Sequence, residues 1–97
     1  MQAANDNQAA WQEFHDANPG VYSLVERFTK QAIDAGYKHY GVMSILQRVR
    51  WHTMIETDGG TFKINNNHAP YYARHFMQEN PQYDGFFRTR KVGGASV

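Results

Sequence analysis

Hydrophobic residues recur with helical spacing in the first half of the chain. Trp11, Phe14 and His15 stand at i, i+3 and i+4 and predict a helix over residues 8–17. The most regular pattern comes next, with apolar residues at i, i+3, i+4, i+7 and i+11: Val21, Leu24, Val25, Phe28 and Ala32. It predicts a second helix from residue 19 to about residue 35, and a similar stripe predicts a third over residues 42–51.

The second helix is flanked by residues that commonly mark helix boundaries. Asn18 is a favoured N-cap residue, and Pro19 suits the first helical position because an N–H there has no intrahelical partner. Gly36 favours a helix end in the left-handed conformation. The second and third helices, joined by a short connector with glycine at both ends, resemble a helix-turn-helix in outline.

The pattern changes after the third helix. Residues 52–57 are rich in threonine and isoleucine, residues 61–65 alternate apolar and polar, and the Asp-Gly-Gly of residues 58–60 favours a turn, so we predict a β-hairpin. A last helix is expected from about Asn67 to residue 79, with Pro70 in its first turn. The expected fold class is therefore α+β and mainly helical, with three or four helices and one β-hairpin before the last long helix.

The sequence also predicts which residues are buried near the C-terminus. In the last helix, the residues expected to face the core are Ala69, Phe76 and either Tyr72 or Ala73, and those expected to lean towards solvent are Tyr71, Arg74, His75 and Gln78. Phe86 and Phe87 are expected to fold back onto the helices. Residues 8–91 are predicted to form one globular domain, and residues 1–7 and 92–97 are predicted to be flexible tails.

Composition and charge narrow the classes of protein. Aromatic residues make up 14% of the 97 residues, which suffices for one modest core, and the absence of cysteine excludes disulfides and thiolate metal sites. No stretch approaches 18 apolar residues and the polar N-terminus does not resemble a secretory signal, so no membrane association is expected. Residues 1–35 contain five acidic and two basic side chains, whereas residues 36–97 contain four acidic and eight basic ones. This asymmetry favours a polyanionic partner.

The best candidate for a binding site is the segment from Asn65 to Arg74. Asn and Arg side chains hydrogen-bond base edges, and the free N–H groups at a helix N-terminus bind phosphate. We therefore predict a DNA site with reading or gripping residues Asn66, Asn67, His68, Tyr71 and Arg74. Phosphate contacts are assigned to Arg48, Arg50, Lys63, Arg88 and Arg90. Both a binding role and a purely structural role stay open here, because asparagine runs also cap helices and tyrosines at helical spacing also fill cores.

The alternative is a protein-binding role. The chain has more large aromatic residues than so small a core is expected to bury, including Trp11, Trp51, Tyr37, Tyr40, Tyr71 and Phe87. Exposed Tyr, Trp and Arg side chains are typical of interface hot spots. Such a surface suits an acidic protein partner or self-association as a homodimer.

Catalytic and cofactor sites are not predicted. His68 and His75 are two helical turns apart, about 10 Å by helical rise, which is too far for one metal ion without another element. The order of hairpin and helix loosely matches the ββα-metal nucleases, but the spaced acidic and histidine ligands are missing. We therefore expect a non-enzymatic protein with no cofactor and no metal.

Four motifs spread over residues 11–90 carry a resemblance to a known family. They are Trp-x2-Phe…Asn-Pro-x-Val-Tyr (residues 11–22), Ile-x2-Arg-x-Arg-Trp (45–51), Phe-Lys-Ile-Asn-Asn…Pro-Tyr-Tyr-Ala-Arg (62–74), and Pro…Gly-Phe-Phe-x2-Arg (81–90). Together they resemble a family of small bacteriophage and prophage proteins. The resemblance implies a bacterial cytoplasm and a task in DNA handling, regulation or interference with a host or defence complex. It implies no active-site residues.

Overall fold

The computed structural model describes residues 3–56 and 64–88, which contain four α-helices. The helices are α1 (Ala3–Ala17), α2 (Pro19–Asp34), α3 (Val42–Trp51) and α4 (Ala69–Glu79). A π-helical segment, His52–Glu56, follows α3, and 3₁₀ turns at Asn66–His68 and Pro81–Tyr83 flank α4. The α1 helix begins at Ala3, five residues before the predicted start.

The expected β-hairpin is wrong, and with it the α+β class. Residues 52–56 continue α3 as helix, and no strand is present in the ranges that the structure describes. Thr53 explains the error: it is buried four residues after the buried Val49, and its hydroxyl donates to the carbonyl of Arg50 at 3.0 Å. Threonine in a helix satisfies its hydroxyl in this way. The predicted turn and most of the second strand lie outside the described residues.

The end of α2 follows the sequence prediction. Gly36 has φ +101°, the left-handed conformation that a residue with a side chain rarely adopts. The N–H of Gly36 donates to the carbonyl of Ile33 at 2.9 Å, and the N–H of Tyr37 donates to that of Ala32 at 3.2 Å. This pair of bonds is a Schellman motif, which satisfies the last carbonyls of the helix.

Two Asn-Pro junctions turn the chain in the same way. Asn18 has φ −134° and ψ 63°, and Asn80 has φ −133° and ψ 72°. In each, the side-chain amide donates to the carbonyl four residues earlier, Phe14 at 3.0 Å and Phe76 at 2.9 Å. Asn18 stands at the N-cap position of α2 with Pro19 as the first helical residue, as predicted, but its side chain bonds back to α1 and makes no cap hydrogen bond to α2.

The core lies between α2, α3 and α4. It is built from Val21, Val25 and Phe28 of α2, Ile45, Leu46 and Val49 of α3, and Ala69, Tyr72, Ala73 and Phe76 of α4. These are the predicted stripes of α2 and α3, and both alternatives for α4 are buried. Phe86 and Phe87 pack over this core as predicted, with the Phe87 ring 5.8 Å from the Phe76 ring.

Candidate functional site

Among the predicted phosphate-contacting residues that the structure describes, Arg50 is the one that contacts the asparagine run. Its guanidinium donates to the backbone carbonyl of Ile64, and to Oδ1 of Asn66 at 2.7 Å. The end of α3 is thereby tied to the segment that leads into α4. Because hydrogen bonds to a charged group are stronger than neutral ones, this arginine holds the segment in position.

The three asparagines are exposed, and one of them has a structural role. Oδ1 of Asn65 accepts a hydrogen bond from the N–H of Asn67 at 2.8 Å, so Asn65 caps the turn that precedes α4. Oδ1 of Asn66 accepts a hydrogen bond from Arg50, whereas Asn67 is exposed to solvent. The run therefore combines the cap and an exposed amide, the two roles left open by the sequence.

Two predicted reading residues are buried. His68 is 6% exposed, and its ring lies 5.2 Å from that of Phe14 on α1. Burial lowers the pKa of His68 below its ordinary value, which favours the neutral imidazole. Tyr71 was expected to lean towards solvent but is 7% exposed, because Trp11 of α1 stacks on it at 6.0 Å.

The remaining cations are distributed over the fold. The Arg74 guanidinium lies 5.4 Å from the centre of the Tyr71 ring, in the cleft between α1 and α4. Arg48 lies 4.3 Å from the centre of the Phe28 ring on α2. Arg48 and Arg50 are two positions apart on α3, so their side chains leave the helix about 200° apart. Arg88 is exposed after the C-terminal turn. Lys63 and Arg90 lie outside the described residues.

One stretch of the chain contains every large hydrophobic residue that is exposed in the described structure: Tyr37, Tyr40, Met43, Trp51 and Met54. We call these five residues the α3 surface. Met43, Trp51 and Met54 stand at i, i+8 and i+11, on one side of a helix and away from the buried stripe. Trp51 and Met54 are the most exposed of the three, at 56% and 57%. Tyr37, Tyr40 and Trp51 are among the candidates that the sequence predicts, whereas Met43 and Met54 are not.

The two tyrosines stand between two clefts. Their rings pack edge to face at 5.2 Å on the connector between α2 and α3. On one side, Tyr37 and Tyr40 line a cleft of about 230 Å³ together with Phe28 and Arg48. On the other, Tyr37 lines a cleft of about 360 Å³ against the C-terminal turn at Tyr83–Phe86. Aromatic side chains that project between two clefts form a surface on which another macromolecule can pack closely.

The charged side chains within the stretch that carries the α3 surface are all positive, and Asp84 of the C-terminal turn lines the cleft beside Tyr37. Residues 35–55 contain Lys38, Arg48 and Arg50 and no aspartate or glutamate. The acidic side chains of α2 end at Asp34, and the next one along the chain is Glu56. An acidic surface is therefore the electrostatic complement of this one.

Metal and membrane sites were also sought in the part of the chain that the structure describes. There, no group of three or more histidine, cysteine, aspartate or glutamate side chains is arranged to hold a metal ion. None of the helices described is both long enough and apolar enough to cross a membrane. Comparisons of the chain with models of protein families, with curated proteins and with solved structures found no match.

Proposed function

We propose that this chain is a non-enzymatic binding protein that docks on an acidic protein partner through the α3 surface. The observation that carries the proposal is that all five exposed large hydrophobic side chains in the described structure fall within residues 37–54. Tyr37 and Tyr40 pack on each other, and Met43, Trp51 and Met54 lie on one side of α3 and its continuation; exposed apolar side chains that lie close together commonly mark an interaction site. The resemblance of the sequence to small phage proteins supports a role as a phage-encoded effector that acts in a bacterial cytoplasm.

The residue types support the same conclusion. Tryptophan and tyrosine are enriched at interface hot spots, and methionine adapts its unbranched side chain to irregular partner surfaces. Arg50 is already held by Ile64 and Asn66, so little conformational entropy is lost when a partner covers it. These properties favour protein recognition over catalysis.

A capture experiment tests this function. The full chain, the Trp51→Ala variant and a Gln12→Ala control on the exposed side of α1 are used to recover partners from nuclease-treated bacterial lysate. We expect a stoichiometric acidic protein with the parent and the control, and at least tenfold less of it with Trp51→Ala, at unchanged melting temperature. Recovery of the same proteins by all three chains would contradict the proposal. If the parent chain instead dimerises in a concentration-dependent way and Trp51→Ala does not, the partner of the α3 surface is a second copy of this chain and not an acidic protein.

Nucleic acid is the second candidate, favoured by a different observation. Arg50 brings α3 beside the exposed amides of residues 65–67, and Trp51 next to it is open for stacking with a base. Binding of a labelled random DNA duplex and single strand is measured while salt is raised. A phosphate-contacting surface loses affinity steeply with salt, and Arg88→Ala reduces the salt slope by about one ion. The absence of binding at low salt removes this candidate without affecting the first.

A further inference from the structure

A cluster of rings joins α1 to α2 and α4. Trp11 and His15 of α1 face Tyr72 and His75 of α4, with centroid distances of 5.6 Å for Trp11–Tyr72 and 5.1 Å for His15–His75. Tyr22 of α2 closes the cluster, with its ring 4.6 Å from that of His75. Trp11 at its centre is 6% exposed. The docking of α1 therefore depends on close contact between an imidazole of its own and an imidazole of α4.

A second histidine contact lies further along α1. Phe14 packs on His68, which is buried in the turn before α4. Nδ1 of His68 has no hydrogen-bond partner in the described structure, and the same is true of Nδ1 of His15. A charged imidazole needs a partner for both of its N–H groups when it is buried. The buried contact of α1 with His68 therefore favours a neutral imidazole at His68.

We propose that the docking of α1 is controlled by protonation, and that protonating His68 and His75 releases this helix from α2 and α4. Two effects act together. An imidazolium at His68 places a charge against the apolar ring of Phe14, and an imidazolium at His75 faces a second imidazole, His15, across the helix contact. Release separates Trp11 from Tyr72 and exposes it to water.

The groups that face His75 act in both directions. His15 from α1 disfavours its charged form, as does burial, whereas Glu26 from α2 and Glu79 from α4 favour it. Tyr22 and Tyr72 present neutral rings, because burial raises the pKa of each well above its ordinary value. The net result is a pKa of His75 below the ordinary value, and burial alone lowers that of His68.

The sign of the effect follows from linkage. A histidine whose pKa is lowered by docking binds fewer protons in the docked state, so docking is strongest above the ordinary histidine pKa of about 6.5. It weakens as the pH falls from that ordinary value towards the lowered pKa values of His68 and His75, and the effect levels off below them. Each unit of pKa difference changes the docking equilibrium about tenfold.

The experiment follows the environment of Trp11 in the full chain with Trp51 replaced by phenylalanine, so that one tryptophan remains. The pH is lowered from about 7.5 to about 5, across the ordinary histidine range. We expect the emission of Trp11 to shift to the red and its quenching by acrylamide to rise, at a pH where far-UV circular dichroism still reports most of the helix. NMR titration of the two imidazoles in the parent chain should give pKa values below the ordinary range.

Variants supply the controls. The double variant His68→Gln/His75→Gln should keep the emission of Trp11 constant over this pH range, and His39→Gln, an exposed histidine of the connector, should behave as the parent. Three results would overturn the proposal: a constant Trp11 signal in the parent, loss of all helix at the same pH as the Trp11 change, or histidine titration at ordinary values. The last can be measured even if the double variant does not fold.

Discussion

The two tryptophans mark two regions with opposite relations to solvent. Trp11 is 6% exposed, in the ring cluster between α1, α2 and α4, whereas Trp51 is 56% exposed at the end of α3. Both lie on helices, and local composition does not distinguish them. Trp11 lies on the face of α1 that meets rings from α2 and α4, and Trp51 lies off the stripe by which α3 meets the core. Burial is decided by what another element places opposite a side chain, not by the residue type.

The same comparison separates structural arginines from those available for binding. Arg50 donates to a carbonyl and an amide of its own chain, and Arg74 lies over a buried tyrosine. Arg88 is exposed at the end of the described residues. A count of positive charges in the C-terminal half therefore overstates the charge that is offered to a partner.

The largest expected difference comes from the same substitution in the two regions. Trp11→Ala removes a buried indole from the ring cluster and should lower the free energy of unfolding by about 3–5 kcal/mol. Trp51→Ala removes an exposed indole and should change the free energy of unfolding by less than about 0.5 kcal/mol. Urea denaturation measures both, and Trp11→Phe replaces Trp11→Ala if that variant does not fold. Equal losses at the two positions would mean that Trp51 is buried in solution, and the α3 surface would not exist.

Arg50→Ala tests the structural role of this arginine. It removes charge-assisted hydrogen bonds to Ile64 and Asn66 and leaves the Ile64 carbonyl without this donor, so we expect a loss of about 1.5–3 kcal/mol in the free energy of unfolding. The matched control is Gln47→Ala, an exposed residue of the same helix, with a change below about 0.5 kcal/mol. If Arg50→Ala leaves stability unchanged, its side chain is available to a partner, and the nucleic-acid candidate gains support.

Asn65→Ala distinguishes a cap from a reading residue within the asparagine run. The loss of the hydrogen bond from the Asn67 N–H should cost about 1 kcal/mol, as for other N-caps. Asn67→Ala keeps that N–H and should change stability by less than about 0.5 kcal/mol. Thermal melts of both variants provide the measurement. A larger loss from Asn67→Ala than from Asn65→Ala would reverse the assigned roles.

Local signals in the sequence predicted a definite part of the fold. The stripe of α2 and its end at Gly36 depend on residues within one or two turns of each other, and both were predicted correctly. The wrong hairpin came from a short run of threonine and isoleucine, which suits a strand or a helix equally. The contact of Thr53 with the α3 core decided between them, and a local pattern does not contain that information.

The candidate site was less predictable for a related reason. Tyr71 and Tyr72 are adjacent on α4, so an amphipathic pattern assigns one to the core and the other to solvent. Both are buried because α1 covers the second face, where Trp11 contacts each of the two rings. The prediction required knowledge of where α1 packs. For the same reason, the exposure of Met43 and Met54 became evident only when the neighbours of α3 were known.

The smallest expected effect concerns a single oxygen atom in the ring cluster. The Tyr72 hydroxyl is buried without a hydrogen bond of normal geometry in the described structure, although Trp11 lies close enough to favour its ionised form slightly, so Tyr72→Phe should leave the free energy of unfolding unchanged or raise it by up to about 1 kcal/mol. Burial raises the pKa of Tyr72 above its ordinary value, so the docked ring stays protonated while the unfolded one loses its proton.

This pKa shift gives the substitution a pH signature. The folded state of the parent should lose stability as the pH rises above the ordinary tyrosine pKa of about 10, because only the unfolded chain readily releases that proton. Tyr72→Phe should reduce this alkaline loss, and Tyr37→Phe on the exposed connector should not. If Tyr72→Phe instead costs more than about 1 kcal/mol at neutral pH, the hydroxyl forms a hydrogen bond in solution. The ring cluster would then be stabilised by a polar contact as well as by its aromatic packing, unlike the exposed α3 surface.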